Sequence, residues 1–180
     1  IVCVTNDLST DQRVHKTCTT LQKCGYFVIE YGRLLPESLP LERSYFTERK
    51  KLWFRKGPQF YAEYNIRLFF YLLFAEVDLI FANDLDSLPA AFMAAKLRNK
   101  RLIYDTHEYF TETPELANRP KTQAIWKKLE DTFFPKLTDI LTVNASIAKL
   151  YSDKYKKELK VSRNIPLTFI PEQLKTRIEL

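Results

Sequence analysis

Residues 77–108 read VDLIFANDLDSLPAAFMAAKLRNKRLIYDTHE, and this stretch decides the fold. An apolar run, VDLIFAN (77–83), stops at Asn83 and Asp84. A helical segment, LPAAFMAAKLRN, follows, with Ser87 expected as its cap and Pro89 in its first turn. A second apolar run, RLIYD (101–105), then stops at Thr106, His107 and Glu108. Both runs are uniformly apolar rather than alternating, as strands buried on both faces are. Strand, helix, strand with polar exits is the unit of a parallel, layered α/β sheet.

The same rhythm extends in both directions. Upstream, IVCVT (1–5) and FVIEY (27–31) read as strands around a helix whose core face carries Val14, Cys18 and Leu21. Ser9 with Gln12 fits a capping box, and Gly25 fits the helix end. A third strand is expected near Tyr45–Thr47, then a helix over 58–75 (PQFYAEYNIRLFFYLLFA). Downstream, a loop (THEYFTETPELANRP) leads to the helix KTQAIWKKLEDTFF. DILTVN (139–144), the helix SIAKLYSDKY and LKVSRN (159–164) follow. The expected class is α/β: a Rossmann-like, doubly wound, mostly parallel sheet with helices on both faces. Residues 1–166 form this domain, and residues 167–180 read as a linker.

Composition narrows the chemistry. The chain has 180 residues, 46% apolar and 28% charged, enough for one globular domain. It has three glycines, Gly25, Gly32 and Gly57. A GxGxxG or GxxxxGK[ST] phosphate loop needs glycines clustered in one turn, so both are excluded. Cys3, Cys18 and Cys24 have neither disulfide nor zinc spacing and are expected to be reduced and mostly buried. No run approaches the roughly 20 apolar residues of a membrane span, and no leader is read at the start. A cytoplasmic protein is expected.

The net charge of +6 is uneven. Residues 42–56 (ERSYFTERKKLWFRK) carry a net +4 around Trp53 and Phe54, while residues 57–135 carry −2. Basic and aromatic groups together suit an anionic membrane surface, so a peripheral location on the inner face of the membrane is expected. An ordinary solvated loop is the competing reading. No nucleic-acid motif accompanies the charge, and no nucleic acid is expected as a partner. The aromatic stretch from Phe60 to Tyr71 is expected to be mostly core.

In open α/β sheets ligands bind beyond the carboxyl ends of the strands. The candidates are therefore the residues at the strand exits. Asp7 either supports the first helix start or orients a hydroxyl; Asp11 caps that helix. Arg13, early in the first helix, is a basic candidate that either faces the site or lies on the helix surface. Asn83 and Asp84 end the fourth strand, and Asp86 and Ser87 cap the next helix. His107, just past the fifth strand, is the candidate for chemistry at that exit, since an imidazole can donate or accept a hydrogen bond near neutral pH. Glu108 acts as a base or acceptor contact, or pairs with Arg119. Asn144, Ser146 and Asn164 lie on the far side of the cleft. His15 is read as a surface residue.

The ordered set STDQRVHKTCTTLQKCGYFV, ANDLDSLPAAFMAAK, RLIYDTHEYF, DILTVNASIAKLY and KVSRNIP resembles the N-terminal domain of GT-B, family-4-type glycosyltransferases of the polysaccharide-building kind. Two departures stand out: the first loop, TNDLSTDQR, lacks the family's glycines, and Asn164-Ile165-Pro166 replaces its Asn-Gly. The resemblance implies an acceptor-binding domain of a retaining glycosyltransferase, which moves a sugar from a nucleotide-sugar donor to a glycan or lipid-linked acceptor. It implies His107 near the donor sugar, no metal and no cofactor. It also implies that a second domain grips the donor, so the chain alone should be inactive. Two other classes remain. A metal-dependent hydrolase would use Asp7, Asp84, Asp105, His107 and Glu108; a binding module would catalyse nothing.

Overall fold

A computed structural model describes residues 1–165; the expected linker, 167–180, lies outside the described residues. Seven strands form one sheet: β1 (Val2–Asp7), β2 (Ile29–Leu34), β3 (Phe46–Lys51), β4 (Leu79–Asn83), β5 (Arg101–Thr106), β6 (Asp139–Thr142) and β7 (Lys160–Val161). Their spatial order is β3-β2-β1-β4-β5-β6-β7, and every adjacent pair is parallel. The expected Rossmann-like α/β fold is what the chain adopts. The order runs outward from β1 to β3, then restarts at β4 on the other side of β1. The switch point thus lies between the carboxyl ends of β1 and β4.

The helices are α1 (Gln12–Lys23), α2 (Gly57–Phe74), α3 (Asp84–Arg98), the short α4 (Pro114–Ala117), α5 (Pro120–Phe133) and α6 (Ala145–Tyr155). They cover the two faces unequally. On one face α2, α3, α5 and α6 bury Cys3, Tyr31, Ile80, Ala82, Tyr104 and Ile140. On the other, α1 places Val14 and Cys18 against Val2, Val4 and Phe81. The link from β2 to β3 has no helix; Tyr45 and Leu41 from that stretch pack on the α1 side instead. At Gly32 of β2 an added Cβ would lie 2.3 Å from the Leu8 side chain, so the β1 exit can approach only because no side chain is there.

Several local expectations change. Asp11, not Ser9, caps α1: its carboxylate accepts the Val14 N–H at 3.0 Å, while Ser9 donates to Asp7. Gly25 sits just past the helix with φ +88, as expected. Cys24 is exposed, unlike Cys3 and Cys18, because it follows the last turn rather than facing the sheet. The third strand is longer than expected and takes up the basic segment as a sheet edge, where charged side chains discourage further pairing. Phe60 and Tyr64 are core, but Trp53, Phe54 and Phe70 are exposed.

The largest difference is at α3. It begins at Asp84, so Pro89 falls inside the helix and Ser87 is a buried first-turn residue whose hydroxyl donates to the Asn83 carbonyl at 2.7 Å. A proline within a helix clashes with the carbonyl four residues back and opens the ladder. The opening is repaired from α2. Asn65 donates its amide to the Asp86 carbonyl at 2.8 Å and accepts the Ala90 N–H at 3.1 Å, bridging the pair that would otherwise bond directly. Replacing Asn65 by Ala leaves both backbone groups unpaired. Chemical denaturation should show a loss of about 1–3 kcal/mol for Asn65→Ala, and an unchanged midpoint would mean that water replaces the amide.

Candidate functional site

The fourth strand ends on Asn83, and the helix starts on the next residue without a loop. Asp84 therefore adopts φ +59, left-handed backbone that costs a non-glycine residue energy and that aspartate tolerates better than most. This turn aims both side chains at the β5 exit. The Asn83 amide donates to the Cys3 carbonyl at 3.0 Å, which leaves its Oδ1 pointing at His107. Asp84 accepts the His107 backbone N–H at 3.0 Å and faces the imidazole Nδ1 at 3.2 Å.

These contacts settle the protonation of His107. Nε2 lies 3.1 Å from Asn83 Oδ1, an acceptor, and 3.5 Å from the Asp105 carboxylate. Nδ1 meets the Asp84 carboxylate. Both ring nitrogens face acceptors only, so both must carry hydrogen, and the ring is an imidazolium. Burial pulls its pKa down, but the hydrogen bonds and charges of Asp105 and Asp84 outweigh that and raise it to about 10. At neutral pH His107 is a fixed cation and hydrogen-bond donor. It is not a shuttling base.

Asp105, 2% exposed at the end of β5, joins this cluster to α1. Arg13 grips both its oxygens at 2.8 and 2.9 Å, and the same guanidinium donates to the Ser162 carbonyl at 3.3 Å. Burial raises the Asp105 carboxyl, but the His107 bond and the Arg13 charge prevail and hold it below the ordinary carboxylate range. Arg13 is thus committed to an ion pair with Asp105 while still lining a surface pocket beside Ser162. The result is an alternating chain Arg13⁺–Asp105⁻–His107⁺–Asp84⁻ along the carboxyl edge of β5 and β4, with Asn83 beside it. Asp86, which neither caps nor faces the crevice, is buried; its carboxylate takes the Thr5 hydroxyl, and burial with the nearby Asp84 charge pushes it up to about 7.

The other candidates lie outside this chain of charges. Asp7 is occupied by the Ser9 N–H and hydroxyl, the Ser38 hydroxyl and Arg49, and so ties the first loop to the stretch after β2. Glu108 is exposed and makes no ion pair with Arg119. Burial and the neighbouring Asp84 and Glu115 raise its carboxyl. Asn144 caps α6 by accepting the Ile147 N–H at 2.8 Å, and Asn164 accepts from Lys16 at 2.9 Å. Ser146 is exposed. His15 is half-buried and hydrogen-bonded to Tyr45 at 2.7 Å. Nothing local in the sequence marks Arg13 and Asp105 as partners, because they are separated by 92 positions.

The five residues of the hydrolase reading do not gather as a metal site. Asp84 and Asp105 are neutralised by His107 and Arg13, Asp7 is bonded elsewhere, and no cluster of three ligating side chains with metal geometry occurs among the described residues. No helix among the described residues is long and apolar enough to cross a membrane. No protein-family model matches the chain, and no curated protein matches it in sequence.

The two histidines give a direct test of this electrostatics. The His107 imidazole should stay protonated from pH 6 to about 9, while His15, held low first by burial and then by Arg43, should titrate below the ordinary value. NMR of the ring protons distinguishes them. Because the folded pKa of His107 is raised, its contribution to stability is fully present below about 6.5 and fades as pH rises towards 10. Asp84→Asn should bring the His107 titration down towards neutrality. A His107 signal that titrates near pH 6.5 in the unmodified chain would contradict the imidazolium assignment.

Proposed function

We propose that this chain is the acceptor-side domain of a retaining glycosyltransferase of the GT-B, family-4 type, taking a sugar from a nucleotide-sugar donor held mainly by a second domain. The observation that carries the reading is the imidazolium of His107 held at the β5 exit against Asn83 and Asp84 of the neighbouring β4 exit, in the position where the sequence resemblance expects a histidine beside the donor sugar. Glycosyl transfer from a nucleotide diphosphate develops positive charge on the sugar and negative charge on the leaving oxygens. A cation that cannot lose its proton at neutral pH suits the second of these. A sugar hydroxyl would compete with Asn83 for the Nε2 hydrogen. Arg13, through Asp105, acts as a positioning residue.

The reading also includes a lipid-linked or glycan acceptor and an anionic membrane partner. Supporting the membrane partner, Trp53 is 82% exposed, and α2 presents Ile66, Phe70 and Phe74 outward at four-residue spacing. Arg55 and Lys56 precede α2 in the chain, and Arg67 stacks on the Trp53 ring at 4.7 Å. Each cation near an anionic surface contributes about 1 kcal/mol, which gives salt-sensitive attachment without insertion.

Two outcomes test the catalytic half. In the two-domain enzyme that the reading requires, His107→Ala should lower kcat/KM by about 10²-fold, measured well below the melting temperature that loss of this buried cation lowers. The unmodified enzyme should show no titration of this group between about pH 6 and 9. Normal kinetics in the variant, or a product of inverted configuration, would refute it. The chain alone should bind nucleotide sugars only weakly in calorimetry; micromolar binding would move the donor site into this domain. For the membrane half, co-sedimentation should favour anionic over neutral vesicles and fall for Trp53→Ser/Phe70→Ser/Phe74→Ser. Equal sedimentation of variant and parent would leave the stripe without a membrane role.

A further inference from the structure

A pocket opens at the carboxyl ends of β2 and β3. It has a volume of about 340 Å3, at the small end of ligand sites. Arg33 from β2, Lys51 from β3 and Arg55 from the following loop line it, and no carboxylate does. None of the three makes an ion pair or a side-chain hydrogen bond among the described residues, in a domain where Arg13, Arg49, Arg67 and Lys154 all do. Arg33 is the most committed: its Nε is buried without a partner, and its guanidinium lies over the Phe60 ring at 4.9 Å. A stacked arginine has its planar fork held in place, which favours binding a tetrahedral oxyanion. Of the acids nearby, Asp7 is held by Ser38 and Arg49, Glu63 by Arg67 and the Trp53 and Phe54 N–H groups, and Asp86 is buried on the Thr5 hydroxyl within range of the Arg33 charge.

The rest of the wall is apolar. Leu34, Leu52 and Phe54 line it, with Leu34 and Phe54 partly open to solvent. The Phe54 loop is held in place, because the Glu63 carboxylate accepts the backbone N–H of both Trp53 and Phe54. Three cations and an apolar lining within one pocket match an amphiphilic anion.

We propose that this pocket binds a phosphate or diphosphate group carried on an apolar chain. The proposal does not depend on the glycosyltransferase reading, since it concerns binding to this domain alone. The cations hold the phosphate oxygens through charge-assisted hydrogen bonds, and Phe54 with Leu34 and Leu52 covers the first carbons of the carrier.

Calorimetry on the chain with inorganic pyrophosphate and with geranyl pyrophosphate tests this. Both should bind, the prenyl ester at least about tenfold more tightly, and Lys51→Gln/Arg55→Gln should weaken both by about tenfold or more. Phe54→Ser should remove the advantage of the prenyl ester while leaving pyrophosphate binding in place. Lys121→Gln/Lys128→Gln, on the far helix α5, controls for net charge. The proposal falls if pyrophosphate does not bind, if the two ligands bind equally, or if the control variant loses as much as the pocket variant. It falls equally if anionic vesicles bind the chain but neither soluble ligand does, since the cations would then serve a lipid surface. A failed transfer assay would leave these binding results untouched.

Discussion

One Arg13 nitrogen donates to both oxygens of Asp105, and this ion pair ties the start of α1 to the end of β5. Arg13 is in the first turn of α1, and Asp105 is at the end of a strand on the other side of β4. Without the guanidinium, the almost fully buried Asp105 would have only the shared His107 imidazolium as a counter-charge, and its carboxyl would lose part of what holds it ionised. With it, Asp105 stays ionised, His107 stays cationic, and Asp84 can remain in left-handed backbone facing the ring. The alternation of charge makes such burial tolerable: each ion has an opposite neighbour within hydrogen-bond reach, so removing any one exposes the next.

Much of this was legible in the residues. Apolar runs that stop abruptly at polar residues located the strand exits, and parallel topology then required those exits to share an edge. Asn83, Asp84 and His107 were found this way because each lies within a residue or two of a strand end. What the sequence could not display was pairing across distance. Arg13 looks like any basic residue early in a helix until β5 is placed beside it. Asp7 sits at a strand tip as a ligand would, yet Ser9, Ser38 and Arg49 claim it. Asn144 was equally well placed, and its local spacing to Ile147 marks an ordinary helix cap.

The start of α3 was misplaced for a different reason. Pro89 normally marks a first turn, and Ser87 a cap. Here the proline is tolerated deeper in the helix because Asn65, on another helix, substitutes for the missing backbone bond. Single-segment rules have no means of seeing a repair supplied from elsewhere. The earlier start has a functional side, since only a helix that begins at Asp84, directly on the strand, delivers that carboxylate to the imidazole.

The left-handed residue at that junction has a wider meaning. Glycine would sit at φ +59 without strain, and many phosphate-binding turns use it for that purpose. This chain places an acid there instead, accepting strain in exchange for a negative charge beside a permanent cation. The recognisable fingerprint of the site is therefore not a glycine-rich loop. It is an apolar strand ending in Asn-Asp, followed one strand later by Asp-x-His, with an arginine early in the first helix. That spaced triplet, rather than a glycine count, is what this electrostatic arrangement requires of a sequence.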